Sequence, residues 1–262
     1  MKSILTIVSI LIFSLQPDAL ILKQEKKGDF TAVSTDGFGN IYLTNKDKNL
    51  IKFSSNLDSL YTFESKNLEV DLVALQNALK ILVLDKNLNN VVFLDKTLSP
   101  TSEEISLNDL ELPLIEAIAM SRDNNVWIYD TDAQELKKFN TKFNQIATSG
   151  NLMNMVNETW FPFLLKEKGD NVYLADSTRG IMEFDFFGGY LRTLPFLVKT
   201  NFNIVGNNLL SITNDTLIIQ DMLLANKKKI ELPIKNIIDF DYSNQHILLL
   251  TREKLHIYQL PL

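Results

Sequence analysis

Five oxygen-bearing side chains recur along the chain, each at the predicted start of a strand-like apolar segment. They are Asp29, Asp71, Glu116, Asn201 and Asp239. Carboxylate and amide oxygens are the ligands that calcium prefers. If the segments surround one axis, the five side chains lie near one mouth of a central channel. They predict either a calcium site or solvated polar residues at strand starts. The second interpretation is favoured, because the positions align only to within a residue or two.

Other catalytic chemistry is poorly supported by the residues present. The chain has no cysteine, which excludes thiolate nucleophiles and thiolate metal sites. His246 precedes a strand-like segment and His256 alternates with apolar residues inside one, as structural histidines commonly do. No serine lies in a Gly-x-Ser-x-Gly turn, and Gly188-Gly189 predicts a hairpin turn because no Lys-Ser/Thr pair follows it. The sequence thus favours a non-enzymatic protein that needs no cofactor.

Composition places the chain among folded proteins that do not bind nucleic acid. Hydrophobic residues make up 45% of the 262 positions, enough for a substantial core. The 26 basic and 32 acidic side chains give a net charge of −6, whereas a nucleic-acid surface needs a concentrated basic stripe. The one basic run, Lys227–Lys229, lies between strand-like segments and predicts a solvated turn. No nucleic-acid partner is expected.

The N-terminus has the pattern of a secretory leader. Lys2 is followed by an apolar run from Ile4 to Leu15, too short to span a bilayer, and then by Gln16-Pro17-Asp18-Ala19. This predicts a signal peptide over residues 1–19 and a single domain over residues 20–262. No cysteine is available for lipid attachment, and no later segment is long and apolar enough for a transmembrane helix. We expect an exported bacterial protein, periplasmic or extracellular, for which a lack of disulfides is ordinary.

A repeat of about 40 residues dominates the rest of the chain. Clusters of Asp, Asn and Gly precede most of six apolar segments, which are rich in residues that favour strands. These segments begin at Ile41, Ile81, Val126, Val172, Leu209 and Ile247, with spacings of 37 to 46 residues. A second apolar segment follows each of them after eight to ten residues. Such a period is typical of proteins built from repeated structural units.

Each repeat predicts a meander of about four antiparallel strands, which is one blade of a β-propeller. Six repeats predict an all-β, six-bladed propeller of four-stranded antiparallel blades. The last repeat is one strand short, and Leu20–Leu22 form a spare strand-like segment. We expect this segment to pair with Leu255–Leu260 and close the ring, because closure removes exposed sheet edges. One or two helical turns are expected within Ser102–Leu112.

Three stretches carry a resemblance to a known group. The sequence Asp-Gly-Phe-Gly-Asn-Ile-Tyr-Leu at 36–43, with Asn-Val-Trp at 125–127 and Asn-Val-Tyr at 171–173, resembles the repeat of NHL-like six-bladed propellers, which include bacterial exported proteins. The resemblance implies the fold and carries no catalytic residue. Some six-bladed propellers are calcium-dependent lactone or ester hydrolases. A hydrolase of that type, with calcium at the five oxygen-bearing residues, is therefore the alternative function.

The candidate binding residues are apolar or aromatic side chains in two loop regions. They are Met153, Met155 and Trp160 within Gly150–Phe163, and Phe186, Phe187 and Tyr190 around Gly188-Gly189. Aromatic residues and methionine are enriched at the centres of protein interfaces, although the same side chains could pack in the core. An acidic insert, Ser99–Leu112, lies between two repeats. We predict a secreted scaffold that binds another protein, such as an accessory subunit of a bacterial outer-membrane, cell-envelope or secretion complex.

Overall fold

A computed structural model describes residues 20–224 and 226–262. Within them, 24 strands form six four-stranded antiparallel sheets. The sheets are the blades of a six-bladed β-propeller, which confirms the predicted fold class. The predicted signal peptide, residues 1–19, lies outside the described residues.

The first half of the described chain contains strand β1 (Ile21–Lys27), which belongs to the last blade, and three complete blades. Blade 1 consists of β2 (Phe30–Thr35), β3 (Ile41–Asn45), β4 (Leu50–Phe53) and β5 (Ser59–Phe63). Blade 2 consists of β6 (Leu72–Asn77), β7 (Lys80–Asp85), β8 (Asn90–Leu94) and β9 (Ile105–Ser106). Blade 3 consists of β10 (Ile118–Met120), β11 (Val126–Asp130), β12 (Glu135–Phe139) and β13 (Gln145–Thr148).

A short helix, α1 (Leu152–Val156), precedes the second half. Blade 4 consists of β14 (Leu164–Lys168), β15 (Asn171–Asp176), β16 (Gly180–Asp185) and β17 (Tyr190–Leu194). Blade 5 consists of β18 (Phe202–Val205), β19 (Asn208–Thr213), β20 (Thr216–Asp221) and β21 (Lys227–Glu231). Blade 6 consists of β22 (Asp239–Ser243), β23 (His246–Leu250) and β24 (Lys254–Gln259), with β1 as its outermost strand.

The two ends of the described chain meet in blade 6. Strand β1 pairs antiparallel with β24, from Ile21 opposite Gln259 to Lys27 opposite Lys254. Glu25 adds a contact at 2.6 Å from its Oε1 to Nδ1 of His256. The predicted ring closure is therefore confirmed, and the pairing strand extends five residues beyond the predicted Leu22.

Side-chain caps explain the Asp, Asn and Gly clusters of the sequence. In the first turn of blade 1, Asp36 Oδ1 accepts hydrogen bonds from the backbone N–H groups of Phe38 and Asn40, both at 2.9 Å. Its Oδ2 accepts a hydrogen bond from the Tyr42 hydroxyl at 3.0 Å. Gly39 has a φ of 84°, a conformation that glycine adopts at little steric cost. These local bonds make the turn and the strand that follows it recognisable from sequence.

The apolar core lies between neighbouring blades. Between blades 3 and 4, for example, Trp127, Trp160, Leu174 and Phe184 are all buried in one cluster. One small sheet cannot bury both of its faces, so stacking against the next blade supplies the missing cover. The innermost strands β2, β6, β10, β14, β18 and β22 surround the central channel.

One local expectation, a solvated turn at Lys227–Lys229, is corrected by the structure. Lys227–Lys229 form part of β21, the outermost strand of blade 5, and not a turn. Lysines on an edge strand oppose pairing with another sheet, which fits this exposed position. The acidic insert contributes β9 and one 3-10 turn over Asn108–Leu110, in agreement with the one or two helical turns expected within Ser102–Leu112. The innermost strand of blade 4 begins at Leu164, because residues 157–163 still cross between blades.

The ring has two distinct faces. The turn face carries the hairpin turns that join the first to the second and the third to the fourth strand of each blade. The connection face carries the remaining hairpin turns and the segments that lead to the next blade, residues 64–71, 107–117, 149–163, 195–201 and 232–238. Loops on a rigid scaffold are where binding residues usually lie.

Candidate functional site

The five predicted calcium ligands all lie at the connection face, but three of them form ion pairs with lysines. The pairs are Asp29 with Lys46, Asp71 with Lys48, and Glu116 with Lys86. In the last two pairs the lysine belongs to the preceding blade, so the pair joins neighbouring blades. Within residues 20–224 and 226–262, no three carboxylate or histidine side chains form a group that could hold a metal ion. The five residues in this arrangement do not fit a calcium site.

Asn201 and Asp239 are the pair that the structure does bring together. Asn201 Nδ2 donates to Asp239 Oδ1 at 3.1 Å and to the carbonyl oxygen of Phe240 at 2.8 Å. Asp239 also accepts hydrogen bonds at 2.9 Å from the backbone N–H groups of Val33 and Phe240. Because Val33 lies in β2 of blade 1, this carboxylate links the first and last blades at their innermost strands.

The wall of the channel carries two further charged groups that the sequence did not single out. The channel has a volume of about 780 Å³. Lys166 Nζ donates to the carbonyl oxygen of Phe202 at 2.7 Å, and Asp241 Oδ2 accepts the backbone N–H and the hydroxyl of Thr35, both at 2.7 Å. Burial lowers the pKa of Lys166, while negative charge on Asp241 and Asp239 opposes the change. These bonds hold adjacent innermost strands together.

The pKa of Asp239 leads to a prediction about stability. Burial raises it from 3.8 to about 6, although the hydrogen bonds from Val33, Phe240 and Asn201 oppose the rise. A raised folded-state pKa means that this carboxyl group stabilises the fold fully below pH 3.8 and loses that contribution as the pH rises through 6. The free energy of unfolding of the native protein, measured relative to Asp239→Asn, should therefore fall by up to about 3 kcal/mol between pH 4 and 7. Urea unfolding at several pH values measures this difference, and parallel pH curves for the two proteins would contradict it.

Residues 149–163 form a connection between blades 3 and 4 that is held near Trp160 by side chains of both blades. Gln134 Oε1 accepts the backbone N–H of Trp160 at 2.8 Å, and its Nε2 donates to the Trp160 carbonyl oxygen at 3.1 Å. On the other side, Asp176 Oδ2 accepts the backbone N–H of Phe161 at 2.9 Å. The Trp160 side chain is 2% exposed and packs in the core between blades, so it cannot contact a partner as the sequence suggested.

Helix α1 presents two of the predicted residues to solvent. Asn151 caps the helix through its side chain, which accepts the backbone N–H of Asn154 at 3.1 Å. Leu152 is buried beneath the helix, whereas Met153 is 48% and Met155 51% exposed. A five-residue helix held at its cap and its buried face displays these methionines in a fixed place.

Three more apolar side chains are exposed in the two connections that flank blade 3, and the sequence did not identify them as binding residues. Phe161 is 66% and Leu114 76% exposed, and Leu110 is also exposed. Leu114 has a φ of 53°, which costs a leucine about 1 kcal/mol or more. Its position directly after Pro113, outside the strand alternation, is the sequence signal that could have found it. We call Leu110, Leu114, Met153, Met155 and Phe161 the connection-face patch; its two loops flank blade 3.

The other predicted group, around Gly188-Gly189, lies on the opposite face. Phe187 is exposed, while Phe186 and Tyr190 are partly buried. The Phe186 ring lies 3.6 Å from Lys138 Nζ and 4.3 Å from the guanidinium carbon of Arg122, both in blade 3. These cation–π contacts give Phe186 a role in joining two blades. Because the two predicted groups lie on opposite faces of the ring, they cannot form a single binding site.

Comparison with solved structures supports the architecture. Virginiamycin B lyase from Staphylococcus aureus is 10% identical with a TM-score of 0.63, covering 91% of this chain and 99% of that one. A streptogramin B lyase is 12% identical with a TM-score of 0.59, covering 93% and 87%. BamB from Moraxella catarrhalis is 10% identical with a TM-score of 0.55, covering 92% and 90%. At such identities the likeness concerns the fold alone, and no family profile or curated protein sequence matches the chain.

Proposed function

We propose that this propeller binds another protein through the connection-face patch. The observation that carries the proposal is the exposure of five large apolar side chains on two neighbouring loops of one face. Exposed apolar groups of this kind commonly mark interaction sites, and methionine and aromatic residues are enriched there.

The rigidity of the patch also favours binding. Gln134 and Asp176 fix the backbone beside Phe161, so the loop loses little conformational freedom when a partner covers it. A preorganised surface binds more tightly because less entropy is lost on association.

Among the described residues, no helix is long and apolar enough to cross a membrane.

The cellular setting forms a second part of the proposal. The leader pattern over residues 1–19 supports export, with the protein in the periplasm or outside a bacterial cell. We propose that it is an accessory subunit of a cell-envelope, outer-membrane or secretion complex. Cell fractionation should then recover the protein, beginning at Leu20, from outside the cytoplasm.

Site-specific photo-crosslinking in the native host tests the binding face. A photoreactive amino acid at Leu114 or Met155 should capture the same protein in the envelope fraction. The same amino acid at Phe38 or Leu223, which are exposed on the turn face, should not capture it. The double variant Met155→Asp/Phe161→Asp should weaken binding of the captured partner by about tenfold or more, because truncating central contacts typically costs about 2 kcal/mol.

Two results would count against the proposal. One is capture from turn-face positions and not from the connection face. The other is a double variant that binds the captured partner as tightly as the unmodified protein does. Its folding is checked by thermal unfolding, because substitutions of exposed residues normally change stability by only about 0.5 kcal/mol.

A further inference from the structure

The crevice between blades 4 and 5 opens on the turn face as a cavity of about 420 Å³. Blade 4 supplies Lys168, Tyr173, Glu183 and Arg192 to its wall, and blade 5 supplies Ile204 and Met222. This volume is within the range of small-molecule pockets, about 300–1,000 Å³. The crevice lies on the face opposite the connection-face patch, so it is a separate feature of the molecule.

The equivalent crevice between blades 3 and 4 provides an internal comparison. There, Phe186 follows the turn-capping Asp185 and reaches across to Lys138 and Arg122. In blade 5 the residue that follows the corresponding cap, Asp221, is Met222. Without an aromatic ring at this position, the crevice between blades 4 and 5 remains open.

A salt bridge and two hydrogen bonds occupy the oxygens of Glu183, the one carboxylate among the described residues of the cavity wall. Glu183 Oε1 accepts the Tyr173 hydroxyl at 3.0 Å and Asn171 Nδ2 at 2.6 Å, and its Oε2 accepts Arg192 Nε at 2.6 Å. The Glu183 side chain is buried, whereas that of Arg192 is partly exposed. An additional cation in the cavity would find this carboxylate already paired.

Two groups in the cavity wall remain able to bind an anion: Arg192, which keeps unused N–H donors although its charge is paired with Glu183, and Lys168. Arg192 donates one N–H group to Glu183 and another to the Met222 carbonyl oxygen at 3.3 Å. Three of the five N–H donors of the guanidinium group remain. Lys168 forms no ion pair within the described part of the chain. The neighbouring carboxylate of Asp170 is directed towards blade 3, where it pairs with Arg122.

We propose that this crevice binds a small organic anion with a carboxylate or phosphate group. A guanidinium group with free N–H groups offers the paired donors that match either anion, and Lys168 adds a second cation. The side chains of Ile204 and Met222 provide apolar contact for the rest of the molecule. The proposal concerns a second ligand and does not depend on protein binding at the opposite face.

Calorimetric titration of the protein with malonate and with inorganic phosphate tests the site. We expect saturable binding of at least one probe at a single site. Lys168→Ala should weaken it about tenfold, because a hydrogen bond to a charged group contributes about 1.5–3 kcal/mol. Met222→Phe should abolish it by placing a ring where Phe186 lies in the preceding crevice. Lys199→Ala, which removes an exposed lysine on the other face, should leave it unchanged.

The relative affinity of the two probes distinguishes a carboxylate ligand from a phosphate ligand. The proposal is overturned if neither probe binds at up to about 10 mM, where a site with a Kd of ~1 mM is nearly saturated. It is also overturned if Lys168→Ala binds as tightly as the unmodified protein. Thermal unfolding of each variant checks that a loss of binding does not reflect a loss of folding.

Discussion

A chain that lacks residues 20–27 is expected to lose most of its stability and to aggregate. The deletion removes β1 and with it six paired residue positions along β24, which then becomes the unpaired outermost strand of blade 6. At roughly 1 kcal/mol for each lost hydrogen bond, the loss is on the order of 5 kcal/mol, a large part of the stability of an ordinary domain. An unpaired edge strand also invites intermolecular pairing. Thermal unfolding and size-exclusion chromatography measure the two effects.

A circular permutant tests whether the deletion acts through the missing strand, because it restores the same residues at the other end of the chain. Ile21 lies opposite Gln259, so residues 20–27 attached by a short linker after Leu262 can return to the same place beside β24. This permutant should recover the melting temperature of a chain that begins at Leu20. Equal stability of the deletion variant and the chain beginning at Leu20 would contradict the closure argument.

Trp160→Ala is expected to destabilise the protein by about 3–5 kcal/mol, because it leaves a cavity in a core that cannot fully collapse. Trp160 is among the largest fully buried side chains, and it packs with Trp127 and Phe184 between blades 3 and 4. For a domain of this size the melting temperature should fall by roughly 10 °C. Chemical denaturation gives the free energy directly.

Two variants serve as controls for this experiment. Met155→Ala, in the same connection, should change stability by less than about 0.5 kcal/mol, because its side chain is exposed. Trp160→Phe keeps most of the apolar volume and removes an indole N–H that has no hydrogen-bond partner in the described part of the chain, so its cost should be smaller than that of alanine. If Trp160→Ala instead kept full stability but no longer bound the partner protein captured by crosslinking, Trp160 would be a contact residue.

The aromatic residue of the repeat motif has a structural role in three blades. Its polar tip donates to a carboxylate: Tyr42 to Asp36 at 3.0 Å, Trp127 to Glu167 at 2.7 Å, and Tyr173 to Glu183 at 3.0 Å. Buried polar groups need such partners, because an unpaired one costs about 1–3 kcal/mol. These residues of the repeat motif therefore maintain the fold, and binding must be argued from other positions.

Several features of this protein could be predicted from sequence because they depend on local chemistry. Strand alternation and turn-forming residues repeat six times, and each turn is stabilised by bonds over two to six residues, as at Asp36. The number of blades, the four strands in each and the spare strand near Leu20 follow from that repetition. Exposure of Met153 and Met155 also agreed with the expectation of a surface loop.

Other features depend on contacts between blades, and only the tertiary structure decided them. Asp29 and Asp239 both lie near the start of an innermost strand, yet one pairs with a lysine while the other bonds to a backbone 206 residues away. Trp160 and Phe161 are adjacent in sequence, but a clamp from Gln134 helps to keep one inside and leave the other outside. The open crevice beside Arg192 depends on which side chain the next blade supplies. Local pattern determines the strands of each blade, whereas the packing of one blade against the next determines which side chains remain available for binding.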